Sequence, residues 1–143
     1  MEKVWNLKIA VFSVCGAAGS VFAHLFGGWT SDFATLLIFM GIDFTTGIAV
    51  AGIFKKSAKT KNGALESNAG FKGICRKCMM LLYVLIANRL DLALGTAYIR
   101  TAVIVAFILN ELLSITENAG LMGVPLPPVL KKAIEVLKDK KDT

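Results

Sequence analysis

The chain has 143 residues, 55% of them hydrophobic, with mean hydropathy +0.65 and formal net charge +6. One core of this size cannot hide so much apolar surface, which excludes an ordinary water-soluble globule. The whole charge excess sits between residues 55 and 77, where Lys55, Lys56, Lys59, Lys61, Lys72, Arg76 and Lys77 face Glu66 alone.

Two apolar runs precede that stretch, at about residues 7–26 and 33–54, each near the roughly 20 residues needed to cross a bilayer. The turn between them, Gly27-Gly28-Trp29-Thr30-Ser31-Asp32, is short and free of Lys and Arg, as an exterior turn should be. Residues 55–77 then read as a basic cytoplasmic loop whose partners are anionic lipid headgroups. Clustering of the bases at a membrane edge argues against nucleic acid. A third run covers about 78–94 and a fourth about 101–118. The third carries Asn88, Arg89 and Asp91, so hydropathy alone would reduce the count to three spans.

Charge favours four. Lys3 and Lys8 precede the first span, and Lys131, Lys132, Lys138, Lys140 and Lys141 follow the last. Both ends then share the side of the basic loop, which requires an even number of crossings. The expected fold is all-α: a transmembrane domain over residues 1–124 with four spans, or three, and a tail over 125–143. In that tail Val129, Leu130, Ala133, Ile134 and Leu137 recur at helical spacing among lysines, which predicts an amphipathic cytoplasmic helix. It would pack on the bundle, lie on the inner leaflet, or touch a neighbouring subunit. The alternative for the N-terminus is a signal peptide cleaved near Val21-Phe22-Ala23, although residues 9–26 exceed the usual apolar core.

Catalytic chemistry is sparse. His24 is the single histidine, and Cys75-Arg76-Lys77-Cys78 has no second pair to complete four metal ligands. No enzyme, cofactor or metal is expected. The signal lies in polar groups within apolar runs: Asp43, Arg89, Asp91, Asn110, Glu111 and Glu117. Charges at such depth must be paired, protonated or hydrated. They either fix helix contacts or line a water path, and as a set they favour the path. By depth, Asp43 should meet Arg89, and Glu111 should meet Arg89 or a base at headgroup level. Gly16, Gly19, Ser20 and Ala23 share one face of the first span, with Thr45, Ala49 and Gly52 doing so on the second. Small faces such as these, with Gly47 beside them, let helices approach closely.

From about Thr35 onward the chain resembles the phage-lysis and toxin-secretion holins of Gram-positive bacteria and their phages. The blocks that carry the resemblance are Asp43-Phe44-Thr45-Thr46-Gly47, Ser67-Asn68-Ala69-Gly70 through Lys77, Leu90-Asp91, Asn110-Glu111-Leu112-Leu113-Ser114 through Asn118, and Gly123-Val124-Pro125-Leu126-Pro127. The resemblance implies a homo-oligomer in the bacterial cytoplasmic membrane that opens holes for a cell-wall hydrolase (an endolysin) or a large toxin. Family members are usually given three spans, against the four counted here from charge. Two other classes compete: a small cation- or drug-coupled transporter, and a membrane adaptor whose basic loop recruits an anionic partner. A transporter would gather its acid and aromatic residues around one substrate pocket.

Overall fold

The computed structural model describes residues 1–141 and is helical, with five α-helices: α1 Glu2–Leu25, α2 Ser31–Ala49, α3 Ser67–Leu94, α4 Ile99–Leu121 and α5 Pro128–Lys141. Asp142 and Thr143, the end of the expected tail, lie outside the described residues, as do the side chains of Lys140 and Lys141. A π-helical turn, Val50–Phe54, prolongs α2 and ends at Lys55 in the left-handed conformation (φ 51°).

Helix periodicity sets the core. On α2, Phe33, Leu36 and Met40 fall on one face. Val84 of α3 and Ile104 and Ile108 of α4 close on that face, with Phe26 at one end. The ladder of long-range contacts fixes directions. Arg100 reaches Thr30 at the start of α2, and Asn118 reaches Thr46 near its end, so α2 and α4 run parallel. Asp91 meets the backbone of Arg100 while Lys77 meets Glu111, so α3 runs antiparallel beside α4 for most of its length.

Three helical stretches are long and apolar enough to cross a membrane: α1, Ser31–Phe54 and α4. The third run does not meet that standard, as its Asn88, Arg89 and Asp91 foretell. The structure also moves a boundary. The loop ends at Glu66, so Lys72, Arg76 and Lys77 belong to the first turns of α3 rather than to a loop. This lengthens α3 to 28 residues and dilutes its apolar character.

The loop that remains is ordered. Ser57 N–H donates to the Gly63 carbonyl (3.0 Å), and the Thr60 hydroxyl donates to the Ala64 carbonyl (2.9 Å). Gly63 has φ +73°, and a Cβ there would lie 2.2 Å from the Lys55 carbonyl oxygen, so only glycine fits. Lys55, Lys56, Lys59 and Lys61 are exposed on this loop.

Helix α1 stands apart. None of its residues is buried, and nothing in the chain approaches the Cβ positions of Gly16 or Gly19 within 4 Å. It is tied to the bundle at its C-terminal end, through stacking of Phe26 on Phe22 and Phe33. Helix α5 folds back along α4. Ile134 is buried against Leu109 and Leu112, with Phe39, Leu113 and Leu137 around it. Full burial of one such aliphatic side chain contributes about 1.5–3 kcal/mol. Lys131, Lys132 and Lys138 point away and are exposed.

Candidate functional site

The face of α2 that carries Phe33, Leu36 and Met40 continues to Asp43, which is buried. On α4 the face of Ile104 and Ile108 continues to Glu111, also buried. Because the two helices are parallel and in register, these carboxylates arrive at the same level. Lys77 of α3 enters between them. Its ammonium lies 2.8 Å from Asp43 Oδ2 and 2.6 Å from Glu111 Oε2. The side chains of Asp43 and Glu111 are 8% and 3% exposed and that of Lys77 17%, so the two acids are buried and the base is nearly so. Two carboxylates on one ammonium leave a formal charge of about −1 inside the bundle.

One further donor supports Asp43. Asn118 Nδ2 donates to Asp43 Oδ1 (3.2 Å) and to Thr46 Oγ1 (3.0 Å). Gly47 lies beside this contact, and a Cβ there would reach Asn118 Nδ2 at an ordinary van der Waals distance of 3.8 Å, so the packing does not require glycine at this position. Removing one partner of a buried ion pair typically costs about 3–5 kcal/mol, because the remaining charge is stranded. The cluster therefore fixes how α2, α3 and α4 meet.

Depth follows from helix rise. Glu111 lies about 18 Å along α4 from Ile99, on a helix about 34 Å long, and Asp43 lies equally far along α2. The triad thus sits at the midpoint of two helices that have the length and composition to span. An unpaired charge at that depth costs about 2.5–3.5 kcal/mol even on the lenient insertion scale. Arg76, on the exposed face of α3 one residue from Lys77, donates from Nε to the Lys72 carbonyl one turn back (3.4 Å).

Beside the triad, under the loop, lies a cavity of about 120 Å³. Asp43, Gly47, Lys59, Lys77, Glu117 and Asn118 are among its lining residues. It is polar on the triad side and large enough to admit water. Water can therefore approach the charged groups from the loop end of the bundle.

A second polar cluster closes the opposite end. Asp91 accepts from the backbone N–H of Ile99 (3.1 Å) and Arg100 (2.8 Å) and from the Thr96 hydroxyl (2.5 Å), satisfying the first turn of α4. Arg100 Nε donates to the Phe26 carbonyl (2.5 Å), and its guanidinium donates to Thr30 Oγ1 (2.9 Å). Asn88 Nδ2 donates to the Leu25 carbonyl (2.9 Å). These bonds clamp the turn between α1 and α2 onto the α3–α4 hairpin. Gly27, φ +83°, lies within the clamp, and a Cβ there would meet Asn88 Oδ1 at 2.4 Å.

The six polar candidates therefore part company. Asp43 and Glu111 come together, and Asp91 works at the far end. Arg89 and Asn110 are exposed, and Glu117 is exposed where it borders the cavity. The expected partner of Asp43, Arg89, is corrected to Lys77, and of the two partners expected for Glu111 it is the base of the lysine-rich stretch, Lys77, that meets it. The inward face of α3 runs through Val84, Ala87, Asn88 and Asp91, and Arg89 lies one residue, about 100°, away from Asn88. Among the described residues Arg89 makes no ion pair with any acid. Arg100 was missed altogether. Its signal was a lone base directly after a short helix–helix turn.

With this geometry in hand, comparison with known proteins is decisive. The profile of the bacteriophage holin family matches residues 20–139. The chain belongs to that family. A probable holin of Bacillus phage phi105 is 32% identical over 121 residues, covering 84% of this chain and 83% of its own length. A 14.9 kDa protein encoded in the nagH 3′ region of Clostridium perfringens is 39% identical over 144 residues, covering 99% of this chain and 100% of its own. A protein of Halalkalibacterium halodurans, 40% identical over 122 residues, covers 81% of this chain and 84% of its own. No solved structure matches. This holin-family chain is a membrane protein and not an enzyme.

Proposed function

We propose that the protein is a holin: it accumulates in the bacterial cytoplasmic membrane and assembles, copy upon copy, into holes that release an endolysin or a large toxin. The observation that carries this reading is the placement of Asp43, Lys77 and Glu111 together at the midpoint of two apolar stretches, Ser31–Phe54 and α4, in a chain matching the family over residues 20–139. Charged groups at that depth hold one arrangement of helices in lipid, and they can be wetted when helices separate. The free surface of α1, with Gly16, Gly19, Ser20 and Ala23 on one face, supports homo-oligomer formation.

Four crossings fit best. Helix α3 lies beside α4 from Lys77–Glu111 to Asp91–Arg100, the half of α4 nearer its N-terminus, which supports α3 as a fourth span that enters with its basic N-terminal turns and runs apolar beyond Lys77. Both termini and the loop of Lys55, Lys56, Lys59 and Lys61 then face the cytoplasm, with Lys72 near the anionic headgroups.

The test is induced expression in a bacterium with and without a cytoplasmic endolysin. The expected result is abrupt lysis only when both proteins are present, with release of a cytoplasmic enzyme of full size. Growth arrest or small-ion leakage without such release would sink the proposal.

A further inference from the structure

The seat of α5 is in the wrong medium for a protein dispersed in lipid. Ile134 is buried on Leu109 and Leu112, which lie about 15 and 20 Å along α4, on either side of its midpoint. Lys131 and Lys138 flank Ile134 by about one helical turn each, and Lys132 and Glu135 share their exposure. With α5 seated there, these charges stand near the centre of the hydrocarbon. The interface is about 15 Å away, beyond the reach of a snorkelling lysine. Burial of one isoleucine and part of Leu137 cannot offset several such charges. The seat is therefore usable only when water runs along that face of α4.

We infer that α5 has two seats, a membrane-surface seat on the anionic inner leaflet and the α4 seat, and that it exchanges the first for the second when the Phe39–Leu109–Leu112 face turns toward water. This rests on the holin reading for what the water-filled state is. In dispersed protein, lipid tails cover Phe39, Leu109 and Leu112, while Leu130, Ile134 and Leu137 rest on the leaflet and the lysines meet headgroups. In the open lesion α5 covers the same apolar face and turns Lys131, Lys132 and Lys138 to the lumen. Residues Met122 to Pro127, which link α4 to α5, are the hinge.

Purified protein in phosphatidylglycerol vesicles tests the exchange. Cys15, Cys75 and Cys78 are replaced by serine, and Leu113→Cys and Leu137→Cys are introduced at the rim of the seat. A short thiol crosslinker is applied, and linked peptides are quantified by mass spectrometry. Sealed vesicles at low protein density should give at most a trace of the 113–137 link. Vesicles at a density that releases a trapped protein should give at least fivefold more. A strong link in sealed vesicles, or equal yields in the two states, would overturn the inference. Absence of leakage at any density would instead count against the holin reading, while the yield in sealed vesicles still decides where α5 lies. As a second variant, Ile134→Lys should insert normally yet raise the density needed for release. Release at the density of the unsubstituted protein would also overturn the inference.

Discussion

Lys77 and Glu111 are separated by 34 positions in sequence, yet the ammonium and a carboxylate oxygen lie 2.6 Å apart at the midpoint of α4. Asp43 shares the same ammonium at 2.8 Å. One base thus holds two acids from two other helices, and removing the base has a larger consequence for the fold than removing one acid.

Removing the base strands both acids. Lys77→Met is predicted to lower bundle stability by about 3–5 kcal/mol, the usual penalty for orphaning buried charge. Membrane levels measured by immunoblot should fall well below those of the unsubstituted protein, and adding Asp43→Asn should restore part of the loss. Normal levels of the single variant would show that the pair does not hold the helices together.

Removing one acid leaves a balanced pair. Asp43→Asn or Glu111→Gln should accumulate normally, because each brings the cluster from about −1 to neutral. If the charge helps to wet the lesion, lysis at matched membrane levels should come late or fail. Unchanged timing in both single variants and in the double variant would leave these acids as packing groups.

The clamp at the other end offers a paired comparison. Gly27 and Gly28 both have positive φ, but a Cβ on Gly27 would meet Asn88 and Arg100, whereas one on Gly28 meets nothing within 4 Å. Gly28→Ala should cost about 1–3 kcal/mol of backbone strain, and Gly27→Ala more. Thermal unfolding in detergent micelles should rank them in that order; equal losses would mean that the clamp is loose.

On α1 the expectation separates folding from assembly. Gly16→Leu and Gly19→Leu place bulk in open space, so insertion and monomer stability should not change. Crosslinked oligomer ladders in membranes should shorten if this face meets another copy. An unaltered ladder with normal lysis would assign the face to lipid.

Orientation can be read by labelling. In a protein freed of its own cysteines, Lys61→Cys and Lys132→Cys should both be shielded from an impermeant reagent in intact cells before lysis. Labelling of either from outside before any lysis would reverse the proposed topology.

Sequence alone determined the helical, membrane-bound character of the chain, the approximate place of each apolar run and the position of Asp43 and Glu111 well inside two of those runs. These follow from composition, run length and charge position, which are local or additive along the chain. The start of α3 was not legible, because Lys72, Arg76 and Lys77 read as part of the basic loop when only charge is counted. Once α3 begins at Ser67, helical phase carries Lys77 inward and leaves Arg89 on the surface. Tertiary structure decided the pairing of the acids, the clamp of Asn88, Asp91 and Arg100, the solitude of α1 and the seat of α5 on α4. Each depends on which faces meet across separate helices. A hydropathy pattern gives the depth of a residue but not its angle around the helix axis relative to a neighbour, and it is that angle which sets a partner.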